Sequence, residues 1–380
     1  MKRRRVKPVA KFILIVLVFA VLTGGYFLLK NTGLFEKIAP AEKQSVATAS
    51  TNASGGQTAN VPASSNTPVI KVGVVTWGGY AGGEYFNGGF EKSTASRYYK
   101  EYGILVQFVL IDDYMASRQA FQAGEVDLLW TTADSIVTEV EAMKDQNIQI
   151  VFQSDWSRGG DAIVAKHGIN SVADLKGKTI SVALGTPSHS LLLNTLDAGG
   201  LKYSDIKVVT VDSAIVAAQM FKSGTVDAAV VWSPDDEDCV RSITGSKILV
   251  STKTADSIIA DVFYAKKSFI DGHKTELKGL VEGWLKGANE INNDPAAKEQ
   301  AVKILMSGLK IDEQLARKSI ENVRLATYGD NANFFNLKGT YSGVKGEDLY
   351  NKMSKMYAGI KLCSANVPMW RTITDTSILL

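Results

Sequence analysis

From residue 69 the chain reads Val-Ile-Lys-Val-Gly-Val-Val-Thr, an almost unbroken β-branched run. Runs of this kind are typical of strands covered on both faces. Trp77-Gly78-Gly79-Tyr80-Ala81-Gly82-Gly83-Glu84-Tyr85 follows and reads as a glycine-rich loop. Glycines there would let backbone approach a ligand, with Trp and Tyr as flat walls. The pattern then predicts a helix over 90–102, a strand over 104–111, a helix over 114–122 and a strand over 126–130. A helix from Ser135 and a strand over 148–153 come next, and the chain crosses to a second unit near 154–161.

The second stretch repeats the alternation. Strands are predicted at 162–166 and 179–184, and a helix opens at Pro187. Pro suits that position because its missing N–H would have no partner in a first helical turn. Residues 258–266 read as the strand that returns to the first unit. A long amphipathic helix follows, with Leu277, Leu280, Val281, Trp284, Leu285, Ala288 and Ile291 on one stripe. Its Trp is therefore a core residue. Further helices are expected from Asp312 and over 346–360, and 328–335 reads as a loop. The last residues, 369–380, either pack as an edge or lead into another module.

One stretch occurs twice. Ala120-Phe-Gln-Ala-Gly-Glu-Val-Asp127 and Met220-Phe-Lys-Ser-Gly-Thr-Val-Asp227 keep Phe, Gly, Val and Asp in register one hundred residues apart. That interval is too long for a solenoid and suits two related units. Each copy follows a helical run, stops it at a Gly, and leads into an apolar strand containing a Trp (Trp130, Trp232). The predicted fold class is α/β, two doubly wound lobes with a central cleft. Residues 69–154 with 258–380 form lobe 1, and 155–257 form lobe 2. Ligands favour such a crevice at the carboxyl ends of strands.

The N-terminus differs in kind. Lys2, Arg3, Arg4, Arg5, Lys7 and Lys11 precede an apolar run from Phe12 to Leu29 without a charge. This predicts a membrane-spanning anchor within residues 1–30, its basic flank on the cytoplasmic side. A cleaved signal peptide is the alternative, opposed by the length of the run and the lack of a small-x-small site. Residues 31–68 are predicted to be a disordered linker; from Pro40 the composition turns to Ala, Ser, Thr, Asn, Gln and Gly. As a coil, that stretch would reach roughly 30 Å. The folded part is then expected on the extracytoplasmic (periplasmic) side, attached to the inner membrane.

Composition narrows the function. The chain has 380 residues, 45% apolar, with a net charge of +3 from scattered Lys and Arg among nearly as many acids, which argues against nucleic acid. Two cysteines and three histidines without paired spacing give no disulfide scaffold and no zinc motif, so no metal and no cofactor is expected. Neither GxGxxG nor a Walker A motif is present.

Asp174-Leu-Lys-Gly-Lys178, a strand, then Gly185-Thr186-Pro187-Ser188-His189 and an apolar helix ending Ala198-Gly-Gly-Leu201 resemble the solute-binding proteins of the sulfonate, nitrate and taurine type. That family has the type II periplasmic-binding-protein fold and is related to thiamine-pyrimidine synthesis proteins. The Phe-x-x-Gly-x-Val-Asp run before Val231-Trp232-Ser233-Pro234 looks like its second-lobe signature. The resemblance covers 69 to about 290. It implies an ABC-importer binding protein with an ABC permease as partner, and no catalysis. It also implies ligand contacts at Trp77, Gly78 and Tyr80, at Thr131 and Thr132, at Thr186, Ser188 and His189, and at Trp232 and Pro234, with Asp161 at the crossover.

The chain departs from that pattern at Asp235-Asp236-Glu237-Asp238. Four acids at a helix start suit its dipole. If Asp235 or Asp236 faces the cleft, an anion would be repelled and an amine or zwitterion favoured, held with Trp77, Tyr80 and Trp232. The ligand therefore stays open between anion and zwitterion or amine. A membrane-tethered sensor on the same fold is the alternative function. An enzyme would need a reactive cluster that Cys239 and His189 do not make.

Overall fold

The computed structural model describes residues 67–380. The predicted anchor, and all of the linker but Thr67 and Pro68, lie outside the described residues. No helix among the described residues is long and apolar enough to cross a membrane.

The chain begins with β1 (Val69–Val74), α1 (Ala81–Asn87), α2 (Arg97–Tyr102), β2 (Leu105–Leu110), α3 (Tyr114–Ala123), β3 (Leu128–Thr132) and β4 (Ile148–Ser157). Then come β5 (Asp161–Ala165), β6 (Thr179–Ala183), α4 (Pro187–Ala198), β7 (Lys207–Val211), α5 (Ala214–Lys222), β8 (Ala228–Trp232), α6 (Asp235–Ser242) and β9 (Lys247–Ser251). The remainder is β10 (Ala260–Lys266), α7 (Lys267–Gly272), α8 (Lys274–Asn293), α9 (Pro295–Leu309), α10 (Glu313–Glu321), β11 (Val323–Leu325), α11 (Tyr328–Phe334) and α12 (Gly346–Gly359).

These strands form two sheets, six-stranded in the order β11-β4-β10-β3-β1-β2 and five-stranded in the order β7-β6-β8-β5-β9. In the large sheet β1 pairs parallel with β2 and β3, and β10 runs antiparallel to β3. In the small sheet β6 pairs parallel with β7 and β8, and β5 runs antiparallel to β8. The two sheets repeat one pattern. The repeated sequence explains why: Phe121 and Phe221 are fully buried, and Gly124 (φ 76°) and Gly224 (φ 81°) end their helices in the left-handed conformation. Asp127 and Asp227 each stitch two parallel strands. Asp127 accepts from the Lys71 amide at 2.8 Å, and Asp227 accepts from the Thr179 amide at 2.9 Å.

Several expectations change. The glycine-rich stretch after β1 is a short 3-10 turn, Gly78–Tyr80, running into α1. Its glycines serve helix packing: a Cβ on Gly83 would meet the Trp284 ring at 2.3 Å, and one on Gly287 would meet the Gly82 carbonyl oxygen at 2.2 Å. Close-packed interiors allow that approach only without side chains. The predicted helix over 90–102 shrinks to α2, capped by Ser96 accepting from the Tyr99 amide. After Ser135 there are only short 3-10 turns. The expected loop over 328–335 is instead α11, opened by a Thr327–Asp330 capping box. β4 runs to Ser157, four residues beyond expectation, and α9 was not anticipated.

All seven stripe residues of α8 are buried, Trp284 completely. Burial of such a side chain contributes about 1.5–3 kcal/mol each. Near the C-terminus Thr374 bridges to Ile150, and Ile378 and Leu379 are buried, so the tail packs against the sheet edge.

Candidate ligand-binding site

The carboxyl ends of β1, β3 and β8 and the opening of α4 converge where the two sheets face each other. On the large sheet, register places Thr132, Asp261, Asp155 and Leu325 in one row across four strands. Asp155 and Asp261 are direct cross-strand neighbours and both buried. Like charges so placed destabilise a sheet. Neutral donors hold them: Trp77 Nε1 donates to Asp155 at 3.2 Å, Ser154 Oγ donates to it at 2.9 Å, and the Tyr80 hydroxyl donates to Asp261 at 2.6 Å. Burial pushes Asp155 up to about 7, and burial with the charge of Asp155 drives Asp261 well above the usual carboxylate range.

Asp134, just beyond β3, is completely buried, and neither of its oxygens has a hydrogen-bond partner. The Ser190 and Thr132 hydroxyls are near enough to temper it but make no well-formed hydrogen bond with it, and burial raises it to about 7. Unpaired buried polar atoms are costly, so each needs an account.

The five-stranded sheet answers from the other side. Asp161 opens β5; its Oδ1 is unpartnered, and burial with the charges of Asp134, Asp155 and Asp236 raises it well above normal. Asp236 in α6 accepts from Ser233 Oγ at 2.8 Å but leaves Oδ2 free, and burial raises it to about 7. The Ser188 hydroxyl is fully buried without a partner. His189 accepts from the Gly185 amide through Nδ1 at 3.3 Å, so its proton sits on Nε2, which is also unpartnered. Burial lowers His189 to about 4 and keeps it neutral.

Contacts across the seam hold the sheets together. Trp232 Nε1 donates to the Thr76 carbonyl at 3.2 Å, and its ring meets Trp130 at 6.1 Å, edge to face. The Thr138 hydroxyl donates to the Gly185 carbonyl at 3.0 Å. From α12, the Tyr357 hydroxyl pairs with Ser190 Oγ at 2.8 Å and reaches the Thr186 carbonyl at 3.3 Å. A recess of about 320 Å³ opens beside Tyr114, Arg118, Thr138 and Gly185. The larger groove of about 640 Å³ along α8 lies elsewhere, and none of its lining residues has a buried unpartnered side-chain atom. The seam is therefore the stronger candidate.

Among the described residues, the buried arginine near it is already spent. Arg118 forms a two-pronged pair with Glu139 at 2.8 and 3.1 Å, and Glu139 also accepts from Thr131 at 2.5 Å. Among the described residues, no three His, Cys, Asp or Glu groups are placed to hold a metal ion.

Of the residues singled out from sequence, Ser188, His189 and Asp161 bring unpartnered atoms to the seam, and Trp232 walls it. Trp77 and Tyr80 support Asp155 and Asp261, and the Tyr80 ring packs on Phe263 and Trp284. Gly78 is spent on packing, since a Cβ there would meet the Ser319 carbonyl oxygen at 2.3 Å. The Thr131, Thr132 and Thr186 hydroxyls are occupied by Glu139, Ser135 and the Ala183 carbonyl. Pro234 caps α6; Asp235 is half-buried toward Lys222, whereas Asp236 is the buried acid. The His189 amide donates to the Thr186 carbonyl at 2.9 Å. Sequence reasoning missed Asp134, Asp155, Asp261 and Tyr357 as site groups. A signal existed: Asp261 interrupts the apolar run Ile-Ile-Ala-Asp-Val-Phe-Tyr.

Two α/β sheets of one pattern, facing each other across a polar seam, define a periplasmic-binding-protein-like fold. The crystal structure of the periplasmic aliphatic sulphonate binding protein SsuA from Escherichia coli has it too, with TM-score 0.63, 16% identity, and coverage of 80% of this chain and 97% of that one. The chain belongs to the NMT1/THI5-like family, whose model matches residues 94–298, more than half of its length. Relatives include the taurine-binding periplasmic protein of Escherichia coli, 26% identical over 187 residues (48% of this chain, 56% of the relative). A provisionally named binding protein of Brucella abortus is 28% identical over 169 residues (44% and 52%). The chain thus spans about half the length of the curated relatives it matches.

Proposed function

We propose that this chain is an extracytoplasmic solute-binding protein. Lobe 1 (69–154 with 258–380) and lobe 2 (155–257) close on a small molecule at their seam and present it to an ABC-type importer. The basic segment and apolar run at the N-terminus would keep the folded part near the membrane, outside the cytoplasm. The observation that carries the reading is the set of buried, unpartnered polar atoms on both sides of the seam: Asp134 on one, Asp161, Ser188, His189 and Asp236 on the other. A bound solute would satisfy groups that otherwise cost about 1–3 kcal/mol each. Binding by closure needs no covalent step, only contacts in the closed state that outweigh the cost of bending the hinge. The names of the relatives, which include periplasmic and taurine-binding, point the same way.

Thermal unfolding against a panel of anions, zwitterions and amines tests this. A ligand at a hundredfold excess over Kd adds about 2.7 kcal/mol of stability. Trp130 and Trp232 meet at the seam, so the same ligand should change tryptophan fluorescence. A panel with no stabilising member and no fluorescence change would sink the reading. Deleting the chain's gene should abolish uptake of the solute that binds. Intact uptake with a lost transcriptional response would identify a sensor instead.

A further inference from the structure

We infer that the solute is recognised through a cationic nitrogen, held by Asp134 and Asp161 from opposite sides of the seam. This rests on the seam being the binding site. Asp134, Asp155, Asp161, Asp236 and Asp261 form one mutually influencing set that spans both sheets. No lysine or arginine is among the groups that offset them; hydroxyl, indole and backbone donors are. Arg118 is neutralised by Glu139, and His189 is neutral. A simple anion would oppose the ionisation of these acids and would find no free counter-charge, whereas a cation would draw at least one of them into its ionised form.

Two independent features point to a ligand rather than to an inert acid cluster. Asp134 is fully buried with both oxygens unpartnered. Ser188 Oγ and His189 Nε2, on the facing helix, are buried neutral donors without acceptors. Trp130 and Trp232 meet edge to face at the same seam and wall it, with the Arg118 guanidinium already over the Trp130 ring. The acceptors in need of a partner are acids that a bound cation would ionise, while the donors in need of one are neutral. This asymmetry fits a molecule with an ammonium, amidinium or guanidinium end and a neutral or weakly charged acceptor end. A metal ion fits poorly, because no three acidic or imidazole groups are placed to share one.

Taurine and ethanesulfonate differ only by the ammonium group, so the pair isolates the nitrogen. Both should be titrated calorimetrically into the full chain, alongside choline, agmatine and n-propylamine. The expected result is binding of at least one nitrogen-bearing probe, at least tenfold tighter than ethanesulfonate. Asp134→Asn and Asp161→Asn should each reduce that preference about tenfold or more, with circular dichroism unchanged. Ethanesulfonate binding as tightly as the amines overturns the inference and leaves the clamp intact. So does a nitrogen preference that survives in both variants. Failure of every probe to bind the correctly folded chain counts against both the inference and the clamp.

Discussion

The two repeated segments behave alike until their strands end, and then diverge in charge. Asp127 and Asp227 make equivalent strand-to-strand bonds, and Phe121 and Phe221 are each fully buried in the core of their own half. One hundred residues after Arg118 stands Ala218. The first copy brings a buried guanidinium to meet Glu139, while the second brings a methyl group, and the nearby acids Asp161 and Asp236 stay uncompensated. Shared scaffold is thus separated from specialised site within a single pair of repeats. Residues that serve the sheet are duplicated, as is the tryptophan that each strand brings to the seam; the charged groups there are not.

Breaking that asymmetry at its strongest point gives the largest expected effect. Arg118→Ala makes the first copy like the second but strands Glu139, whose side chain is only 6% exposed. Loss of one partner from a buried ion pair costs about 3–5 kcal/mol, to be read from urea unfolding. A loss under about 1 kcal/mol would mean that the pair is not holding the first half together.

A smaller effect, on the scale of a few kcal/mol at most, concerns pH. The seam carboxylates have native values raised above their unfolded ones, to about 7 for Asp134, Asp155 and Asp236. Below about pH 4 both states are protonated and their contribution is fully present. As pH rises through 7 it is lost, because the native state must then ionise buried groups. His189, lowered to about 4, acts oppositely between roughly 6.5 and 4, one imidazole against five acids. The paired surface acids Asp174, Asp238, Glu282, Glu290, Glu299, Asp312 and Asp375 lose their contribution only below their unfolded values, about pH 4.5. The melting temperature of the ligand-free protein should therefore rise on going from pH 7.5 to 5.5, and Asp161→Asn should flatten that slope. A falling melting temperature over this interval would contradict the buried-acid account.

The gentlest test sharpens the likeness instead. Asp127→Ala and Asp227→Ala should each cost about 1 kcal/mol, within a few tenths of one another, and the double variant should be additive. Unequal losses would show that the repeated motif has drifted in role.

The periodic parts of the fold were legible from sequence because they rest on local chemistry. β-branched runs gave the central strands, the α8 stripe gave a core helix with Trp284 inside, and Asp312 capped α10 as its position suggested. The stretch after β1 was misread because glycine looks the same whether it frees a loop or clears space for a neighbouring helix. Only Trp284, some two hundred residues away, decides between them. The same holds for 328–335, where Asn331 bonds to the Gln153 backbone through both its oxygen and its amide.

The amino-acid order by itself determined the doubling of the scaffold, the alternation of strands and helices, and the resemblance that set the fold, because periodicity and turn chemistry act over neighbours. What the seam holds was decided only in three dimensions. Asp134, Asp155, Asp161, Asp236 and Asp261 are spread over about 130 positions of the chain, and nothing local marks them as companions. Strand register and the packing of the two sheets bring them together and shut water out, which leaves Asp134, Asp161 and Asp236 with unpartnered oxygens and is the basis of the site proposed above.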